Sequence, residues 1–294
     1  MSGLIPRTVL AFQHNAKLYT LPTSVLAVTP FPSLAEADRQ LFKSATADDD
    51  SSVVVTRETI FHPQGGGQPS DTGSMSSSTG DIFSVHSVRM SATNEGQVLH
   101  LGRFHSSDLD STDSTNSTTK PPPPSFTPDE PVTQNLDVAK RLLYSRLHTA
   151  GHVLGAAVRH LLESQVPNFD ELKASHFPDS AACEFAGLIE GKWKNDIQAK
   201  VDEYVAAAMP VEVDFWTDED FRANGLERLI PNNGGEGGGV KLAPGEKYRV
   251  VKIVGAEVYP CGGTHVDTTE QCGKVGVRKI SRSKGTSRVS YNVS

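Results

Sequence analysis

Residues 137–162 read DVAKRLLYSRLHTAGHVLGAAVRHLL. Leu143, Leu147, Ala150, Leu154 and Val158 recur there at steps of three and four, one apolar face of a helix. Asp137 stands where an N-cap belongs. A helix with a single apolar stripe must bury it against another layer. Downstream, 182–189, 211–215, 248–253, 275–280 and 288–293 read as strands, and 195–208 as a second helix closed by Pro210. The C-terminal part is therefore expected to be α+β, with helices on an antiparallel sheet.

Upstream the pattern is β. Val53-Val54-Val55 and Thr59-Ile60-Phe61 flank a polar step, 82–88 alternates with period two, and 97–101 resembles a further strand. A small barrel-like domain follows from these, with one helix near 34–41. Between the two parts, nine of the fourteen residues 106–119 are Ser or Thr and three are Asp, and Pro121 to Pro124 follow. Such a stretch buries too little apolar surface to offset its ordering entropy. Three segments are expected: a β-rich domain at 1–105, a disordered linker or insertion at 106–131, and a second domain at 132–294. The Asn- and Gly-rich stretch 232–239 reads as a flexible loop.

The chain has 294 residues and a net charge of −7. Two domains are the default for that length, each able to bury a core without disulfides. Cys183, Cys261 and Cys272 are too few for a disulfide framework and suit a reducing compartment. With no signal-peptide run and no 18-residue apolar stretch, a cytoplasmic protein without a membrane partner is expected.

His148 and His152 lie four apart on the helix, so both imidazoles reach one side of it. Cys261-Gly262-Gly263-Thr264-His265 supplies a thiolate and an imidazole from a flexible turn. Together they form a His₃Cys set of the kind that binds Zn²⁺. Each pair alone is commonplace; their joint occurrence carries the expectation. The triple glycine at 65–67 lacks phosphate-loop spacing, and it reads as a bare turn or as a place of close backbone approach. Lys274, Arg278, Lys279, Arg282, Lys284 and Arg288 fall in a tail without acids. That tail is either a phosphate-binding face or a solvated edge strand.

The HTAGH and CGGTHV motifs resemble the editing domain of alanyl-tRNA synthetase and the free-standing alanyl-tRNA editing proteins of the AlaX family. The stretch 61–73, FHPQGGGQPSDTG, is similar to the Gly-rich motif of the larger members, and the Lys279–Tyr291 tail to the end of these domains. The resemblance covers most of 53–104 and 136–294. It implies a zinc-dependent deacylase of misacylated tRNA(Ala), chiefly the seryl form, with the glycyl form a second candidate. With neither a synthetase core nor an ATP motif in view, a free-standing, ATP-independent form is expected, its protein partners unknown. His148, His152, Cys261 and His265 become the expected metal ligands and catalytic centre. Ser175, Thr149, Gly66, Gly67 and Gln68 are candidates for holding substrate, and Arg282, Lys284 and Arg288 for holding tRNA. Two other readings stay open: a catalytically silent zinc-stabilised tRNA-binding module, and an unrelated zinc hydrolase of small esters.

Overall fold

A computed structural model describes residues 6–43, 48–105, 125–231 and 245–294. The expected loop at 232–239, and 106–124 of the expected linker, lie outside the described residues. The chain forms two compact units: residues 1–65 with 69–141, and residues 66–68 with 142–294. The α+β class with an N-terminal barrel, expected from the sequence, is what the chain adopts.

In the first unit six strands close a barrel in the order Thr20–Pro30, Ser52–Thr56, Val98–His105, Ile82–Met90, Gly73–Ser77, Pro131–Leu136. Every pairing is antiparallel. Side-chain alternation sorts the apolar residues onto two faces. Val54, Met75, Phe83, Val85 and Val132 pack in one cluster, while Val53, Val55, Leu99 and Leu101 pack with Phe42 in another. Each such side chain contributes about 1.5–3 kcal/mol when fully buried. The barrel needs Pro131–Leu136 to close, so it continues into the segment that composition alone gives to the second domain. Phe126, at the end of the stretch expected to be disordered, is buried against Phe83 and Phe104.

The first unit also buries a polar cluster. Arg141 and Asp71 are both 1 % exposed and form an ion pair. Arg141 donates further to the carbonyls of Ala16 and Ile60, and Asp71 accepts from the backbone N–H of His62. Asp71, at the end of the Gly-rich stretch, is thus committed to the fold.

The second unit is organised by the helix Val138–Leu162, whose first turn counts with the barrel. Asp137 caps it by accepting from the backbone N–H of Lys140 at 3.1 Å. Leu147, Ala150, Leu154 and Val158 pack on Phe185, Val277 and Val289 of a four-stranded sheet. That sheet runs Val275–Ser283, Thr286–Val293, Ala182–Ala186, Asp170–Ser175, antiparallel throughout. The helix Lys194–Ala206 buries Ile197, Val201 and Tyr204 in the same core. A second antiparallel sheet, Val211–Trp216, Tyr248–Ile253 and Glu257–Pro260, ends just before Cys261. Among the described residues no helix is long and apolar enough to cross a membrane.

Candidate metal centre

The long helix carries His148 and His152 one turn apart, with ring centroids separated by 5.0 Å. The turn after Pro260 brings Cys261 and His265 to them. One nitrogen or sulfur atom from each of the four lies within 4.8 Å of the others. The Sγ of Cys261 is 3.4 Å from Nε2 of His148 and 3.3 Å from Nε2 of His265. Three nitrogens and a sulfur converging in this way could hold a metal ion.

Neighbouring groups fix the donors. Oε1 of Gln68 accepts from the backbone N–H of Thr264 at 3.0 Å, and its Nε2 donates to the Thr264 hydroxyl at 2.9 Å. Oε1 is therefore an acceptor, and the 2.7 Å contact from Nδ1 of His148 must be a donated N–H. That leaves the lone pair of His148 on Nε2, towards the sulfur. Nδ1 of His265 lies 3.1 Å from the Thr149 hydroxyl, which also accepts from the N–H of Val266. Such outer contacts set ring orientation and tautomer in metal sites. Nδ1 of His152 is buried without a hydrogen-bond partner among the described residues.

The electrostatics suit a neutral imidazole at His152. Burial, with the charges of His176 and Arg249 adding to it, brings the pKa of His152 down to about 3. Burial raises that of the Cys261 thiol, opposed by Arg249 and by the Gly263 N–H that donates to its sulfur at 3.4 Å. Gly263 is required by space, since a Cβ there would fall on the His148 ring. Gly67 has φ +77°, and a Cβ on it would meet the carbonyl of Ala174.

A cavity of about 420 Å³ opens from His148, His152 and Cys261. Its volume is that of a small-molecule pocket. On its wall Arg159 pairs with Glu171 at 3.0 Å and with Glu257 at 3.3 Å. Burial raises the pKa of Glu171 even with Arg159 opposing it.

The candidate substrate residues separate by what they touch. Gly66 lines the cavity. Gln68 and Thr149 are fully buried and hold His148 and His265 instead. Ser175 does not line the cavity, although Asp170 to Ala174 and His176 on either side of it do. Arg282 and Lys284 are exposed at the tip of the hairpin 275–293, where Lys284 (φ +48°) and Gly285 (φ +82°) make the turn. Arg288 is engaged, donating to Glu184 at 3.2 Å and to the Ser180 carbonyl at 2.8 Å. His176, Arg159, Glu171 and Tyr259 reach the cavity without any motif to announce them.

Known proteins sharpen the assignment. Residues 248–290 match the family described as the threonyl and alanyl tRNA synthetase second additional domain. The chain is 26 % identical, over 98 % of its length, to 27 % of the alanine–tRNA ligase of Methanosphaera stadtmanae. It is 28 % identical, over 83 % of its length, to 25 % of the ligase of Thermotoga petrophila. Over 88 % of its length it is 27 % identical to 55 % of the alanyl-tRNA editing protein AlaX-L of Pyrococcus horikoshii. It thus spans about a quarter of the ligases and about half of that editing protein. With the second additional domain matched and the likeness extending through both units, the chain resembles the alanyl-tRNA editing protein AlaX-L and a part of the alanine–tRNA ligases.

Proposed function

We propose that this protein deacylates mischarged tRNA(Ala), chiefly seryl-tRNA(Ala), at a zinc site formed by His148, His152, Cys261 and His265. The observation that carries the reading is the convergence of three imidazoles and one thiol within 4.8 Å at the end of a cavity. Zinc bonds of about 2.0–2.1 Å to nitrogen and about 2.3 Å to sulfur in a tetrahedron separate sulfur from nitrogen by about 3.5–3.6 Å, close to the 3.3–3.4 Å between the sulfur and two of the nitrogens. The orphaned Nδ1 of His152 and the outer contacts of His148 and His265 also fit a metal-binding set.

Zinc at this place supplies Lewis acidity for hydrolysis of the aminoacyl ester. Gln68 and Thr149 hold the His148 and His265 rings, and the helix Val138–Leu162 keeps His148 and His152 on one side. The cavity admits the aminoacyl end, while the exposed Arg282 and Lys284 offer charge to the tRNA phosphates. We assign the chemistry to the second unit, and the cytoplasm, where charged tRNA is used, is its place of action.

The test is deacylation of seryl-, glycyl- and alanyl-tRNA(Ala) and of a small seryl ester, with zinc measured on the same sample. Rapid loss of seryl-tRNA(Ala) with alanyl-tRNA(Ala) spared is expected. Binding of tRNA without turnover would make the protein a silent zinc-stabilised module. Turnover of the small ester alone would make it an unrelated hydrolase.

A further inference from the structure

His176 belongs to neither the HTAGH nor the CGGTH motif, yet it lines the cavity beside the four-residue set. It is 2 % exposed, and its ring stacks on that of His148 with centroids 4.1 Å apart and planes at 24°. Its backbone N–H donates to the Gly67 carbonyl at 2.8 Å. Nδ1 lies 2.7 Å from the hydroxyl of Tyr291, and that hydroxyl donates its single proton to the Leu147 carbonyl at 2.9 Å. A carbonyl only accepts, so the Tyr291 proton is committed and Nδ1 of His176 must be the donor in the other contact. The tautomer follows: the proton is on Nδ1 and the lone pair on Nε2. Nε2 makes no hydrogen bond with the described residues. Further along the wall, Arg159 is occupied with Glu171 and Glu257.

We infer that Nε2 of His176 accepts the hydrogen bond of the serine hydroxyl and so distinguishes a seryl from an alanyl ester. This rests on the editing reading above. An apolar pocket separates two amino acids differing by one hydroxyl only about a hundredfold, whereas a site that hydrogen-bonds the hydroxyl reaches ~10⁴–10⁵. Alanine would leave Nε2 with no donor. Ser175, the neighbouring candidate that the family resemblance suggests, does not line the cavity.

The experiment compares His176→Asn with His176→Gln. Asparagine ends near Nδ1 and can keep the Tyr291 contact, while glutamine places an amide oxygen near the position of Nε2. The readout is the serine-to-alanine ratio of kcat/KM on acylated tRNA(Ala), with alanine measured under single-turnover conditions and zinc measured per chain. His176→Asn should lower the ratio about 10²-fold. His176→Gln should hold it within about fivefold, and both should keep parental zinc. Equal loss on both substrates, leaving the ratio unchanged in His176→Asn, overturns this inference alone. Absence of turnover on every acylated tRNA by the parental chain overturns the editing reading and this inference with it.

Discussion

The barrel and the second unit each bury a cluster of polar side chains, and the clusters are finished differently. In the barrel, Asp71 and Arg141 are sealed from water and pair with each other, and further bonds run to three backbone groups. In the second unit, His148, His152, Cys261 and His265 are also buried or half-buried. Gln68 and Thr149 hold two of the rings from behind, yet Nδ1 of His152 has no partner among the described residues. A polar cluster that is fully satisfied specifies a fold, while one satisfied only from behind keeps donors for something else. Gln68 and Asp71, three residues apart in one Gly-rich stretch, fall on opposite sides of that distinction.

The comparison can be broken by substitution. Asp71→Ala strands the Arg141 guanidinium and should cost about 3–5 kcal/mol of stability, read by denaturant unfolding, with zinc per folded chain unchanged. Leu154→Ala opens a cavity in the second unit's core and should cost about 2–5 kcal/mol in the same measurement. Gln68→Ala should leave the fold nearly intact but weaken zinc 10–100-fold, measured by chelator competition. If Gln68→Ala instead cost as much stability as Asp71→Ala, the two clusters would not differ in kind.

Smaller effects sharpen the picture at the surface. Charge reversal of Arg282 and Lys284 should raise the apparent KM for seryl-tRNA(Ala) and flatten its salt dependence. Turnover of a small seryl ester should not change, which separates capture from chemistry. Arg288→Ala removes a part-exposed pair with Glu184 and should cost under about 1 kcal/mol.

Much of this was legible in the sequence, and the failures have a common origin. The helix Val138–Leu162 and the strands rich in Val and Ile announce themselves because one face is uniformly apolar. The strands Thr20–Pro30, Gly73–Ser77 and Pro131–Leu136 do not. Gly73–Ser77 is mostly Ser, and Pro22 interrupts the first. Gln134 sits fully buried in the barrel, donating to Thr56 and Glu58 and accepting from the N–H of Ile60. A polar residue facing inward defeats alternation, since only its partners reveal that it is satisfied. The same holds for 170–175, DELKAS, which reads as a loop. Nothing in that stretch says that His176 reaches the cavity and Ser175 does not. The His₃Cys set was legible because a helical turn and a tight Gly-rich turn fix spacing locally. Its supports, Gln68 and Thr149, depend on contacts between distant parts of the chain.

The incompletely paired cluster is the proposed metal site. Its most direct test is zinc per folded chain, by elemental analysis, in the parental protein, in Cys261→Ala and in Asp71→Ala. One zinc, none, and one are predicted in that order. Stoichiometric zinc retained by Cys261→Ala would contradict the claim.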